Sequence, residues 1–383
     1  MEFLPVIVTS LLLFVLGIAM GFRAMRVLRL AKRQSLDATL HHGPSVPVTI
    51  VILAQEQEQD LRNNITDILS QDYGTEYYVS VVDIHSSDGT LSYLESMEER
   101  YHNLSHSSIP ASARDISLQR LAITLGMRSA FTDWVIVAEA GCRPRSSHWL
   151  SAFMGQCTEE KDGVLGFAIR QGAGCGWQSY RSSYFRLWQQ LLWIPFAISS
   201  VPPRADDCFF AYRRDRFLSH GGFASDANLL CGTASLLFNR NVLPGRCGAS
   251  LSMEATLDGR DLTSHAWYRD RVYFMETLHQ SRHVFLYRSL YFLHAALPWL
   301  LAFCSAWLLS SVPNPWGIVA GVLIVLLPMM TYSFTHFVAC RHYGIRQLLM
   351  LCPVFHLMIP FWDLSAWLGW RFAKKNTFRK KFI

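Results

Sequence analysis

A nearly unbroken apolar run from Phe3 to Phe22, followed at once by Arg23, Arg26, Arg29, Lys32 and Arg33, constrains this chain more than any other feature. At 1.5 Å per residue the run is about long enough to cross the hydrocarbon core of a bilayer. A basic flank on its far side is expected to stay in the cytoplasm. The only charge ahead of the run is Glu2, and the run exceeds a usual signal core, so the expectation is an uncleaved anchor with its N-terminus outside. Two more runs, Ser289 to Ser310 and Trp316 to Phe334, are joined by the breaker Ser311-Val-Pro-Asn-Pro315 and read as a transmembrane hairpin. Arg282, Arg288, Arg341 and Arg346 flank its inner ends. The last apolar stretch, Leu348 to Leu368, is interrupted by Pro353, Pro360 and Asp363, and a full crossing would put the basic tail outside. It reads as an interfacial or re-entrant segment.

Composition agrees with contact to membrane lipid. Hydrophobic residues make up 51% of the 383 and charged residues 17%, which excludes disorder. The net charge of +6 comes from basic residues beside apolar runs, including Lys374, Lys375, Arg379, Lys380 and Lys381. That placement suits membrane flanks and argues against nucleic acid. A transporter is disfavoured because the spans are few and carry little internal charge. The nine cysteines have no CxxC pair or zinc-like spacing and read as reduced packing residues. The chain therefore divides into an anchor with its basic flank (1–33), a cytoplasmic domain (46–285) and a C-terminal membrane region with a basic tail (286–383), at the inner membrane.

Between anchor and hairpin, short β-rich runs alternate with amphipathic helical stretches. Val48 to Ala54 is apolar throughout, as suits a parallel strand buried on both faces. Asp60 to Ser70 places Leu61, Ile65, Ile68 and Leu69 on one helical face. Tyr78 to Asp83 reads as the next strand, and His85-Ser-Ser-Asp-Gly-Thr90 as a turn that caps the following helix. Ile116 to Ala130 reads as helix and Trp134 to Ala138 as strand. Such alternation predicts a doubly wound α/β sheet, whose ligands bind beyond the carboxyl ends of the strands. Ala54, Asp83 and Glu139 close three of those ends. Asp83 there can accept hydrogen bonds from a ribose or base, or serve as a turn acceptor; Glu139 can offer oxygen to a hard cation, or be an exposed loop acid.

The order of these pieces resembles the membrane-bound family-2 glycosyltransferases of the GT-A fold, which transfer a sugar from a nucleotide donor with inversion. Thr49-Ile-Val-Ile-Leu-Ala-Gln-Glu-Gln57 is similar to their opening strand, and Ser70-Gln-Asp-Tyr73 to their Gln-Asp-Tyr turn. Val81-Val-Asp-Ile-His-Ser-Ser-Asp-Gly-Thr90 resembles their Val-Val-Asp-Asp-Gly-Ser stretch, and Trp134 to Trp149 the strand and loop carrying a metal-binding Asp-x-Asp. Ala211-Tyr-Arg-Arg214 through Gly221-Gly-Phe223 is similar to the acceptor-side segment. The resemblance covers most of the chain and implies a GT-A-like mixed sheet with an N-terminal transmembrane helix and a C-terminal hairpin. It also implies a nucleotide-sugar site around Ala54, Asp83 and Glu139, and a divalent cation, manganese or magnesium, at Glu139. Arg269 and Arg271, in an echo of the family's Gln-x-x-Arg-Trp element, are then candidates to hold phosphate, or else to face anionic lipid headgroups.

Departures fall where the chemistry is expected. Glu139-Ala140-Gly141 stands for Asp-x-Asp, so one cation-binding carboxylate is missing. Cys231-Gly-Thr-Ala-Ser235 holds no carboxylate where the family has its base, and neither Thr233 nor Ala234 can take a proton at neutral pH. Asp206, Asp207, Glu254, Asp258, Asp261 and His220 are the nearby groups able to substitute, though solvated loop acids and a turn histidine are commoner. Two readings follow: a transferase with an atypical site acting on an envelope glycan or lipid, or a noncatalytic relative serving as partner or scaffold for another membrane enzyme subunit.

Overall fold

The computed structural model describes residues 4–40, 46–110, 117–170, 177–199, 209–224, 233–259, 284–311, 315–345 and 352–372. The chain opens with helix α1 (Leu4–Leu40), then alternates β1 (Val48–Ala54), α2 (Glu58–Leu69), β2 (Tyr77–Asp83), α3 (Thr90–Glu98), β3 (Leu104–Ser108), α4 (Leu118–Ser129) and β4 (Trp134–Glu139). Next come β5 (Arg143–Pro144), α5 (Trp149–Met154), β6 (Gly163–Leu165), β7 (Ala168–Arg170), α6 (Trp177–Ser199), β8 (Phe209–Arg213) and α7 (Arg214–Ser219). After α8 (Ala234–Asn241), β9 (Cys247–Ala249) and β10 (Leu257–Gly259), three long helices follow: α9 (Val284–Ser311), α10 (Pro315–Tyr343) and α11 (Cys352–Phe372).

Seven strands form a mixed sheet in the order β3-β2-β1-β4-β8-β6-β9. The first four are parallel, β8 runs against both β4 and β6, and β9 pairs parallel to β6. The expected doubly wound α/β sheet is therefore present. β1 sits centrally because all seven of its residues are apolar or hydroxylated and buried; its Thr49 hydroxyl is satisfied by Thr132 at 2.8 Å. Alternate β1 side chains feed two cores. Val51 and Leu53 pack with Ala122, Ile123 and Met127 of α4, whereas Ile50 and Ile52 pack with Leu61 and Ile65 of α2 and with Trp149 of α5. Helix α4 lies close to the sheet at Gly126, where a Cβ would stand 2.4 Å from Val51 Cγ1.

Three helices are long and apolar enough to cross a membrane among the described residues: Ile7–Asp37, Phe285–Trp307 and Pro315–Tyr343. They coincide with the expected anchor and hairpin. α1 runs on unbroken through the basic flank, and Val27, Leu28 and Ala31 are buried in the same core as Val51. It packs along α10 and α9. Small residues allow the approach, since a Cβ on Gly17 would lie 3.0 Å from Pro328 and one on Gly21 would lie 3.0 Å from the Thr331 hydroxyl. The stretch read as interfacial or re-entrant is a helix over 352–372 with Pro360 inside it; residues 348–351 lie outside the described part.

A third apolar cluster joins α6 to the long C-terminal helices α9 and α11. Tyr184, Phe185, Trp188 and Trp193 of α6 pack with Tyr287 and Tyr291 of α9 and with Phe355 and Ile359 of α11. Besides pairing in the sheet, β9 contacts α6. Two polar links add to this. Gln34 of α1 donates to the carbonyl of Ala249 at 3.0 Å and accepts from the N–H of Leu251 at 2.7 Å. At the end of α10, the Tyr343 carbonyl accepts from Arg145 at 2.6 Å while its ring stacks on Phe167, with centroids 4.4 Å apart.

Candidate functional site

Parallel registration puts the three strand-end residues at one edge. Ala54 lies beside Asp83 across β1 and β2, and Leu53 lies beside Glu139 across β1 and β4. Backbone bonds extend the pairing by one residue, from Ile84 N–H to the Ala54 carbonyl at 2.7 Å and from Ala140 N–H to the Leu53 carbonyl at 2.9 Å. Ala54 is fully buried, Asp83 is 3% exposed, and Glu139 is partly exposed.

Asp83 is both a turn residue and something more. Its Oδ2 accepts the Ser86 N–H at 3.3 Å, as turn chemistry anticipates. Its Oδ1 is buried and has no hydrogen-bond partner among the described residues. A carboxylate oxygen kept from water without a donor is costly, so such an atom calls for an explanation.

The loops after β1 and β2 are tied together. Glu56 Oε1 accepts from both the backbone N–H and hydroxyl of Ser87, at 2.7 and 2.9 Å, while Ser86 Oγ accepts the Glu56 N–H at 2.9 Å. Asp88 Oδ2 accepts the Glu58 N–H at 3.2 Å, and its Oδ1 accepts from the N–H and hydroxyl of Thr90 at 3.1 and 2.5 Å. Burial works against the Asp88 charge, but the Thr90 hydroxyl and these N–H groups outweigh it and hold the carboxyl below its ordinary 3.8. Glu56 and His85 take φ of +53° and +51° and are the non-glycine residues with positive φ among the described ones. Strain of this kind costs of order 1–3 kcal/mol and collects at functional sites.

Beyond Glu139, the loop is fixed from outside. Asn64 of α2 donates to the Ala140 carbonyl at 3.0 Å, and Arg143 pairs with Asp67 at 2.5 Å. β5 joins β10 and β7 in a small second sheet that sets Asp258 opposite Arg143. Asp258 is thus the substitute acid that the fold brings to the Glu139 loop, but Arg145 pairs with it at 3.0 Å. Burial pushes its carboxyl above the usual range against the pull of Arg145 and Arg143. Among the described residues no group of three His, Cys, Asp or Glu is arranged to hold a metal ion. Glu139 with Ala140 and Gly141 does not make a cation cage.

Of the other candidates, Arg269, Arg271, Asp206, Asp207 and Asp261 lie outside the described residues. Glu254 is half-buried between β9 and β10. His220 closes α7, its Nδ1 2.7 Å from the Arg216 carbonyl, and is exposed. Thr233 is buried at the start of α8. Glu56, Ser87 and Asp88 are residues that strand patterning did not single out as site-forming; the signal for Asp88 was the Asp-Gly-Thr turn itself.

No protein-family model matches the sequence, and no curated protein matches it. Among solved structures, the chain is similar to the mannosyltransferase PcManGT from Pyrobaculum calidifontis in complex with GDP-Man and Mn2+, at 15% identity and a TM-score of 0.53, covering 95% of this chain and 100% of that one. A slighter likeness, with a TM-score of 0.40 and 14% identity, is to S. aureus TarS 1-349 in complex with UDP, covering 87% of this chain and 91% of that one. The chain has a glycosyltransferase-like α/β fold joined to helices long and apolar enough to span a membrane.

Proposed function

We propose that this chain is a membrane glycosyltransferase of the family-2 type. It binds a nucleoside-diphosphate sugar at the carboxyl edge formed by Ala54, Asp83 and Glu139, and passes the sugar to a glycan or lipid acceptor of the envelope at the cytoplasmic face of the inner membrane. The observation that carries the reading is Asp83, whose unpartnered Oδ1 suits a ribose hydroxyl or base N–H. For a nucleotide to reach it, the Glu56–Ser87 bonds rearrange, and the positive-φ residues Glu56 and His85 give the two loops strain to release. In the transfer, an acceptor oxygen bonds to the anomeric carbon as the bond to the diphosphate breaks, and the acceptor proton passes to a carboxylate, for which Asp206 and Asp207 are the candidates. Arg269 and Arg271 are assigned to the diphosphate as fixed cations. No step is assigned to a divalent cation, because the residues around Glu139 do not form a cage for one.

A second reading, a noncatalytic partner of another membrane enzyme, is favoured by Ala140-Gly141 after Glu139 and by Thr233-Ala234 in place of a base. Calorimetry on the detergent-purified chain, with uridine and guanosine diphosphate sugars and with and without manganese, tests both. Binding that Asp83→Asn weakens about tenfold supports the site. Absence of binding removes it, and binding without turnover above a membrane blank selects the partner role. Manganese-dependent transfer lost in Glu139→Ala restores a metal-using enzyme.

A further inference from the structure

Helices α1, α6, α9 and α10 line a recess with a cavity volume of about 60 Å³. Its walls are mostly apolar and aromatic, with Trp188, Leu191 and Phe196 from α6 and Leu290 from α9. Polar groups converge inside it. The Trp188 indole N–H donates to His294 Nε2 at 2.8 Å, and the Tyr332 hydroxyl lies 3.5 Å from His294 Nδ1. Thr335 and His336 of α10 also line it. The one cationic side chain in the lining is Arg23, whose guanidinium sits 4.0 Å from the centroid of the Phe196 ring. Among the described residues Arg23 has no carboxylate partner.

Arg23 is the first charge after the apolar run of α1, so it stands at the depth where a bilayer's hydrocarbon gives way to headgroups. An unneutralised guanidinium beside imidazole and hydroxyl groups recognises phosphate, and the apolar walls below it suit a hydrocarbon chain. We infer that this recess binds the phosphate headgroup of a membrane lipid, with Arg23 as its counter-ion and Trp188, Phe196 and Leu290 against the lipid's first carbons. The inference does not depend on the nucleotide site, since Arg23 lines the recess between the helices, Asp83 closes β2, and the two are read by separate measurements.

Native mass spectrometry of the full chain, released from neutral detergent in the presence of dioleoyl phosphatidate, dioleoylglycerol or inorganic phosphate, tests it. Phosphatidate is expected to remain bound where dioleoylglycerol does not, about tenfold less in Arg23→Ala, with partial recovery in Arg23→Lys. Leu290→Trp, which fills the recess and leaves the charge in place, is expected to lose binding too. Arg26→Ala, at an exposed position outside the recess, is expected to keep it. Equal loss in Arg26→Ala, equal retention of dioleoylglycerol, or displacement by free phosphate overturns the inference. Nucleotide-sugar calorimetry on the same Arg23 and Leu290 variants keeps failure here distinct from failure at Asp83.

Discussion

Asp88 is exposed, yet both loops of the carboxyl edge depend on it, through Glu58 on one side and Thr90 on the other. Its folded-state pKa is lowered, so its contribution is present above the ordinary carboxylate value and is lost as pH falls through the lower, folded one. Asp88→Ala is expected to cost roughly 0.5–1 kcal/mol, as for loss of a capping acceptor. Chemical denaturation at neutral pH is expected to show that cost, and the same measurement below the ordinary value of 3.8 to show it shrinking. A cost that stays constant down to low pH removes the charge from the explanation. At this scale the sequence was only partly informative. Asp83 was legible because a buried strand ending in Asp-Ile-His-Ser-Ser-Asp-Gly announces a turn. The left-handed backbone at Glu56 and His85 was not, because neither residue type marks positive φ as glycine does.

Among elements, the α1–α10 contact has the simplest physical basis. Gly17 and Gly21 lie four residues apart on one face, and each meets a rigid part of α10, the ring of Pro328 and the Thr331 side chain. Gly21→Leu is expected to separate the helices and lower the thermal midpoint of the detergent-solubilised protein by several degrees, consistent with overpacking costs of about 1–3 kcal/mol. Gly21→Ala, whose methyl would stand 3.0 Å from the Thr331 hydroxyl and 3.1 Å from its Cβ, is expected to be milder because it asks for a shift of only a few tenths of an ångström. Equal midpoints for the Leu variant and the parent would mean that the helices are not held at this contact. The spans themselves were legible, since apolar length alone decides them. Two features were not. β5, β7 and β10 are only two or three residues long, too short to show alternation. α6 carries its aromatic residues toward α9 and α11, a contact that only the tertiary fold reveals. The segment read as interfacial or re-entrant is a helix in which Pro353 falls in the first turn and buried Asp363 accepts from Tyr291.

Sheet and membrane helices are one molecule in the mechanical sense. Gln34 of α1 holds Ala249 and Leu251, and Arg145, in the loop after β5, donates to the Tyr343 carbonyl at the end of α10 and also reaches Asp258 of β10. The sheet that carries the strand-end site is therefore tied to the long apolar helices. In the proposed orientation, with the basic flanks inside, that site faces the cytoplasm. Ser105→Cys, at an exposed position of edge strand β3, is expected to resist an impermeant thiol reagent on intact cells and to react after lysis. The described native cysteines give little background, because all six are buried. Labelling of the introduced thiol in intact cells would turn the whole molecule over.

The Gln34 contact also sets an order of events during synthesis. Gln34 leaves the ribosome 215 residues before Ala249, the carbonyl it is to hold. At ordinary elongation rates the interval is roughly 10 to 40 s. Until it ends, the growing sheet has an open edge where β9 will lie, and Val27, Leu28 and Ala31 of α1 gain their covering core only as the later strands emerge. Open edges recruit other chains. In the proposed membrane arrangement the first helix is already lodged in the bilayer, so each nascent sheet grows tethered beside its own α1, and the closing contact is intramolecular from the start. A chain made without α1 would leave the Ala249 carbonyl and the Leu251 N–H without Gln34, so α1 serves assembly in its own right.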